Sequence, residues 1–375
     1  MKIYVAGIHL LPNGNHKSKT QVIINQLPDI CNNAKKLMGK DVITIIVLQE
    51  YALTKTAIPN SEKKKCLKQL EEAAQKYNNV VLIPGSFSAY EKFSACVNTE
   101  KRKAKIVENY TKNLENPEFA RDPLFIQDFL QTKHKFTTDT LDQSICLQNS
   151  AYILSSELNS KKIKHKKSFP FEEENKLDNK NNYFYYLGAD SEVKQVSINN
   201  KKIDIGLVIC REHCLTPSKN LKDNPPQIEV IVSASVTRKN NNLFGALNIH
   251  MDSNTGLSVL LNSKHSKINE IAEVKSFSYY PEVQHKEEIS IQTFAMPIGP
   301  QIIPLATVEK STSIMQELKS ILAMSIFNND LDVSKIPSTK DELPLSERSE
   351  FMQEGINELS KKLSTMTLPD CLVKK

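Results

Sequence analysis

The chain has 375 residues, 49 Lys and Arg against 43 Asp and Glu, a formal charge of +6, 39% hydrophobic residues and only 10 glycines. That length can bury a large core, in one large α/β domain or two ordinary ones. Neither G-x-G-x-x-G nor G-x-x-x-x-G-K-[ST] occurs, which excludes a Gly-rich nucleotide loop. Lysine runs (Lys63 to Lys65, Lys161 to Lys167) alternate with acidic clusters such as Glu172-Glu173-Glu174, so the charge reads as a solvated surface and not as a nucleic-acid interface.

In chain order, Lys2 to Leu10 reads as a strand, Lys19 to Met38 as a helix and Val42 to Leu48 as a wholly apolar strand. Ser61 to Tyr77 reads as a helix and Asn79 to Pro84 as a strand. Apolar strands separated by amphipathic helices imply a sheet with helices over one face. Ser86 to Leu147 is polar and weakly periodic, and 87–147 reads as an insertion or elaborated loop with short helices around Asn116 to Leu130. Strands then follow at short intervals: Asn149 to Ser155, Lys162 to Phe169, Val193 to Ile198 and Ile203 to Cys210, with Asn199-Asn200 as a hairpin turn. Gln227 to Ala234 is a strand, Leu243 to Met251 a helix and Gly256 to Leu261 a strand. Thr307 to Ala323 and Glu347 to Leu363 read as amphipathic helices. Residues 1–300 therefore form the main α/β domain and 301–375 a C-terminal helical extension.

Seven cysteines (31, 66, 96, 146, 210, 214 and 371) are odd in number and scattered, and Met1 to Leu11 is strand-like without a leader's cleavage site. Reduced thiols and a cytoplasmic location are the expectation. Cys210-x-x-x-Cys214 lacks the second ligand pair a zinc site needs. No apolar run reaches membrane-spanning length.

Three strand ends carry chemistry. Ile203, Ile205, Leu207 and Ile209 alternate along one face of a strand that delivers Cys210 into the charged turn Arg211-Glu212-His213. A thiol at a sheet mouth beside ionic groups is where a nucleophile is expected, although a lone cysteine is more often a small buried hydrophobe. The apolar run from Val42 ends in Gln49-Glu50-Tyr51; a carboxylate there is functional, or merely begins a solvated loop. The lysine-rich segment Lys162 to Lys167 supplies an amine, or keeps a sheet edge soluble. Binding of a polyanion by the same run is a weaker reading. Together, carboxylate, amine and thiol make a hydrolytic centre: the base takes the thiol proton, the thiolate attacks an amide or nitrile carbon, and the ammonium and the Arg211 N–H receive the growing negative charge. His165 and His250 allow a Cys-His protease reading, but no local motif supports it.

In these segments the sequence resembles the carbon–nitrogen hydrolase (nitrilase) superfamily, whose Glu-Lys-Cys triad stands in that chain order on a four-layer α-β-β-α sandwich. The stretch Val42 to Leu53 looks like the family's first motif, which implies Glu50 as general base. Asn79 to Ser86 is similar to its valine-rich strand followed by Gly-Ser. Asn149-Ser150-Ala151-Tyr152 through Phe169 looks like the lysine segment and, aligned without a gap, implies Lys166 as the catalytic lysine. Lys164 is the second choice, and strand parity does not separate them because Lys162, Lys164 and Lys166 share a face. Gly206 to Glu212 looks like the cysteine motif, with Cys210 as nucleophile, and Val230 to Ala234 and Asn262 fit the strands that follow. A further acid beyond the lysine falls on Glu174, with Glu172 and Glu173 adjacent, and Arg211 joins it as a substrate-binding candidate. Gln49, Ser168 and the turn His213 to Pro217 depart from the family pattern. The resemblance implies an amidase more than a nitrilase, acting on a small amide, carbamoyl compound or nitrile, and no metal or organic cofactor. It also implies oligomers, with a homodimer as the expectation; the dispersed charge and the short apolar runs lead us to expect no nucleic-acid or membrane partner. The competing reading is a non-catalytic binding or scaffold protein on the same fold.

Overall fold

Residues 3–8, 43–48 and 80–83 are almost wholly apolar and buried because both faces of the sheet they build are covered. The computed structural model describes residues 1–281 except 11–14, 55, 94–98, 116–118, 121, 123, 124, 131, 133–143, 157–162, 169–182, 190, 216, 217 and 237. The chain divides into the units Met1–Met324 and Ser325–Lys375. The helices read at 307–323 and 347–363, and with them the 301–375 extension, lie outside the described residues.

The protein is a mixed α/β structure with two sheets. β1 (Lys2–Ile8), β2 (Ile43–Leu48), β3 (Ile58–Pro59), β4 (Val80–Ile83), β5 (Ser86–Lys92), β6 (Ile145–Ser155), β7 (Ile163–Lys166) and β8 (Tyr183–Tyr185) belong to the first. β9 (Lys194–Ile198), β10 (Lys201–Ile209), β11 (Ile228–Ser233), β12 (Leu247–Asp252) and β13 (Gly256–Leu261) make the second, before β14 (Glu273–Tyr279) returns to pair in parallel with β1. The first sheet runs β14-β1-β2-β4-β6-β5-β3, with β7 and β8 on β6, and the second runs β13-β12-β11-β10-β9.

Alternation assigns the faces. Ile3, Val5, Ile43, Ile45, Val47, Val81 and Ile83 of the first sheet meet Ile203, Ile205, Ile209, Val230, Val232 and Ile249 of the second in one apolar core. Their neighbours Tyr4, Ala6, Ile8, Ile46, Leu48 and Leu82 point the other way, onto α1 (His16–Met38) and α2 (Asn60–Ala74). α1 starts at Asn15, whose side chain accepts from the N–H groups of Lys17 (3.0 Å) and Ser18 (2.9 Å). It then buries Ile23, Leu27, Ile30, Cys31, Ala34 and Met38 at helical spacing. Behind the second sheet, Val208 and Ile231 pack on Leu221 of the short α5 (Lys219–Asp223) and on Leu243.

Two elements differ from the sequence reading, and β14 is an addition to it. Residues 247–252, read as helix, form β12 between β11 and β13, because Leu247, Ile249 and Met251 enter the inter-sheet core at a period of two. Within 87–147, the polar run holds β5 and a 16-residue helix, α3 (Thr99–Leu114), and residues 125–130 are helical as well. Among the described residues, no helix is long and apolar enough to cross a membrane.

Candidate active site

Three chain segments converge where the ends of β2, β7 and β10 meet. At the end of β2, the Glu50 N–H donates to the Ser233 carbonyl of β11 at 3.3 Å, joining the two sheets. Gly85, at φ +73°, packs against this turn so closely that a Cβ there would lie 2.1 Å from the Gln49 carbonyl oxygen, and only glycine fits. Buried Lys19 of α1 donates to the Ala52 carbonyl at 3.0 Å and holds the far side of the turn. The Glu50 carboxylate is thereby fixed inside the protein, where its Oε1 accepts from Lys167 Nζ and from Asn149 Nδ2, both at 3.0 Å.

Lys167 is the lysine that reaches Glu50, and Lys166 is not. In β7 the register pairs Ile163 with Ile153 and His165 with Ala151, and all of these odd-even choices follow from Ile163 lying against the inter-sheet core. Ile163, His165 and Lys167 therefore face the second sheet, while Lys164 and Lys166 point away from it. Lys166 Nζ lies 3.3 Å from the centre of the Tyr186 ring, and Lys164 hydrogen-bonds Gln148. The Lys167 N–H donates to the Asn149 carbonyl at 3.0 Å, so Asn149 orients both members of the Glu50–Lys167 pair.

The turn after Lys167 is clamped from outside the sheets. Asn113 of α3 donates to the carbonyls of Ser168 (2.9 Å) and Gly188 (3.0 Å), and Asn109 to that of Leu187 (2.7 Å). The Gly188 N–H donates to the Lys167 carbonyl at 2.8 Å, and a Cβ on Gly188 would sit 2.0 Å from the Lys166 carbonyl oxygen. The segment between β5 and β6 thus supports the lysine.

Cys210 ends β10 with φ at 49°, in the left-handed region, before α4 (Arg211–Leu215) begins. Such a conformation in a non-glycine residue stores on the order of 1–3 kcal/mol and is sustained by its surroundings. Here the Cys210 N–H donates to the Val232 carbonyl at 2.8 Å, and the His213 N–H returns to the Cys210 carbonyl at 3.0 Å. The thiol is 2% exposed. Burial raises its pKa, and the negative charge of Glu50 raises it further; Lys167 and the Ala234 N–H pull the other way. The thiol therefore keeps its proton at rest.

Glu212 ties the lysine turn to the cysteine turn. Its carboxylate accepts from the Ile209 N–H (2.8 Å), from Ser168 Oγ (2.8 Å) and from the Ser168 N–H, and it pairs with His165 Nε2 at 2.9 Å. Burial alone would raise its pKa, but His165 and these backbone donors outweigh burial and hold it below the ordinary glutamate value. Asp252 does comparable work on the other flank. Its Oδ2 accepts from Ser233 Oγ (2.7 Å) and the N–H groups of Ser235 (2.8 Å) and Val236 (3.0 Å), shaping the turn whose Ala234 N–H meets the thiol.

Of the residues singled out from sequence, Glu50 and Cys210 come together and Lys166 and Lys164 stay outside. Glu172, Glu173 and Glu174 lie outside the described residues, and of Arg211 only the backbone, at the start of α4, is described. Asn262 forms a local turn, accepting from the Lys264 N–H at 3.1 Å. The histidines do not serve the thiol: His250 pairs with Ser233 Oγ at 2.6 Å, His213 accepts from the Lys239 N–H at 2.9 Å, and His165 pairs with Glu212. Burial lowers the pKa of His213 to about 3 and that of His250 to about 4. Sequence reasoning missed Lys167, Asn149 and Asn113, and assigned Glu212 no role. The apolar Ile163, which marks the inward parity of β7, was the available signal for Lys167.

No protein-family model and no curated protein sequence matches the chain. Among solved structures, the crystal structure of an N-terminal amidase is similar to it at 12% identity and a TM-score of 0.30. That likeness covers 60% of this chain and 46% of the amidase chain, so the protein spans about half of that structure's length.

Proposed function

We propose that the protein is a hydrolase of a non-peptide C–N bond, built as a four-layer α-β-β-α sandwich of the nitrilase type, with Cys210 as nucleophile, Glu50 as general base and Lys167 as the catalytic cation. The observation that carries this reading is the buried 3.0 Å pair of Lys167 and Glu50 beside a buried thiol whose pKa both charges act on. Glu50 takes the thiol proton as the sulfur attacks a carbonyl carbon. Lys167 and the Arg211 N–H stabilise the oxyanion. The tetrahedral adduct expels the amine, which leaves with the proton from Glu50, and a thioester remains. Glu50 then deprotonates water, which cleaves the thioester to the acid and restores the thiol. A nitrile would pass through a thioimidate at the same sulfur, and a small amide is the first substrate class to test.

The test is intact-mass spectrometry of the full chain with a panel of amides, carbamoyl compounds and nitriles. An acyl or thioimidate mass on Cys210, absent in Cys210→Ala, is the expected result; an adduct or turnover that survives Cys210→Ala overturns the assignment. The 2% exposure of Cys210 favours a second reading, a non-catalytic scaffold on the same architecture. That reading requires no adduct with any member of the panel and alkylation of Cys210 no faster than that of half-buried Cys214.

A further inference from the structure

The inner face of the first sheet changes character at the row that bears Lys167. Elsewhere on that face Ile45, Val81 and Ile153 fill the core with branched side chains. At the Lys167 end, β6 places Asn149 beside Lys167, and β5 places Ser88 opposite Asn149 and Ser86 opposite Ala151. Residues paired across antiparallel strands share a face, and Ala151 belongs to the inter-sheet core, so both serines point between the sheets. Phe87, between them in sequence, agrees with this parity, since it packs in the core on the helix side. The face is therefore both smaller in side-chain volume and more polar here.

Two contacts tie these serines to the surroundings of Glu50. Ser86 follows Gly85, which packs against the Gln49 carbonyl in the turn that fixes Glu50. Asn149, opposite Ser88, donates to the Glu50 carboxylate at 3.0 Å. Both serines are closed off from solvent, at 0% and 1% exposure, and among the described residues neither hydroxyl has a hydrogen-bond partner. A buried hydroxyl left unpaired is unfavourable, so its partner is to be sought in what enters the site. Thr44 and Ser155 also lack a partner, but Thr44 alternates with core residues Ile43 and Ile45 and so faces the helices, while Ser155 lies roughly 20 Å along β6 from Asn149.

We infer that Ser86 and Ser88 are specificity-determining residues of this site, which takes short amides whose acyl group carries a neutral hydrogen-bonding substituent, a hydroxyl or a carboxamide, in preference to a plain alkyl chain. This names the substrate class of the proposed hydrolase and rests on that assignment. A serine hydroxyl both donates and accepts, so it pairs with either substituent. An alkyl chain of the same shape leaves the buried hydroxyls unpaired, and a site built to bond a polar group rejects the analogue that lacks it. A charged substituent has less to gain, because Lys167 and Glu50 already pair with each other at 3.0 Å.

The experiment measures the rate of acyl-adduct formation on Cys210, by intact-mass spectrometry of the full chain, with short amides in matched pairs: hydroxyl against methyl, and carboxamide against isopropyl. Faster acylation by the polar member, roughly ten-fold or more, is expected from the cost of leaving a buried hydroxyl unpaired. Ser86→Ala and Ser88→Ala should each bring that ratio toward one, with a Tm no lower than wild type because no bond within the protein is lost. Thr44→Val, which removes an unpartnered hydroxyl on the helix side, should keep the wild-type ratio. Equal rates for the two members of every pair, a ratio that neither serine variant lowers, or a clearly lower Tm in both serine variants would each overturn the inference. In all three cases the adduct still forms on wild type and the hydrolase assignment stands. Wild type that takes an acyl group from neither these pairs nor the broader panel would end both.

Discussion

Lys167 Nζ and Glu50 Oε1 stand 3.0 Å apart, with the side chains 1% and 0% exposed. A buried pair of this kind adds little net stability, but removing one partner strands the other charge and costs about 3–5 kcal/mol. Lys167→Met should therefore lower the unfolding free energy by about that amount and abolish adduct formation at Cys210. Lys166→Met, one residue away on the outer face, should leave adduct formation intact. Chemical denaturation and intact-mass spectrometry on both variants measure this. Full adduct formation in Lys167→Met would remove Lys167 from the mechanism.

Cys210 carries a second signature in its backbone. At φ 49° a glycine is unstrained, whereas alanine keeps the strain that cysteine bears. Both Cys210→Ala and Cys210→Gly should be inactive. Despite the greater flexibility of glycine in the unfolded chain, Cys210→Gly should be at least as stable as Cys210→Ala, by up to about 1 kcal/mol. A clearly lower Tm for Cys210→Gly would show that the turn does not store strain.

The apolar strands, the two long helices and the acid and thiol at their strand ends were legible because each depends on local alternation or helical spacing. β12 carried the strand signal, since Leu247, Ile249 and Met251 alternate with the polar Asn248 and His250, but reading Leu243 to Met251 as one helical segment overrode that period of two. α3 was hidden by its polarity, and its function lies in two asparagines that bond distant carbonyls, a role with no sequence signature. The gapless alignment pointed to Lys166, whereas the lysine that lies beside Glu50 is Lys167, on the face that the parity of Ile163 marks. A single residue's slip along a strand moves a side chain to the opposite face.

Glu212 links the stability of this region to pH. Its folded pKa is depressed, so its contribution is fully present above the unfolded value of about 4.3 and is lost as pH falls through the folded value. Wild type should exceed Glu212→Gln in stability at neutral pH, and the gap should shrink steadily in acid. Denaturation of both proteins across that range checks the sign. A gap that widens toward low pH would mean the carboxylate is not held in its charged form.

Asn113 reaches from α3 to the carbonyls of Ser168 and Gly188, which flank the backbone of Lys167. Asn113→Ala leaves both buried acceptors without this donor, which costs about 1–3 kcal/mol. It also frees the lysine turn while touching neither the thiol nor the carboxylate. If Asn113 is a positioning residue, the rate of acyl-adduct formation on Cys210 should fall while simple alkylation of the unfolded chain's thiols stays the same. Asn113→Asp, which offers an acceptor where a donor is needed, should be worse than Asn113→Ala. Asn113→Gln should recover part of the rate if the longer amide still reaches Ser168. An adduct rate equal to wild type in Asn113→Ala, with stability lowered, would reduce α3 to a structural cover.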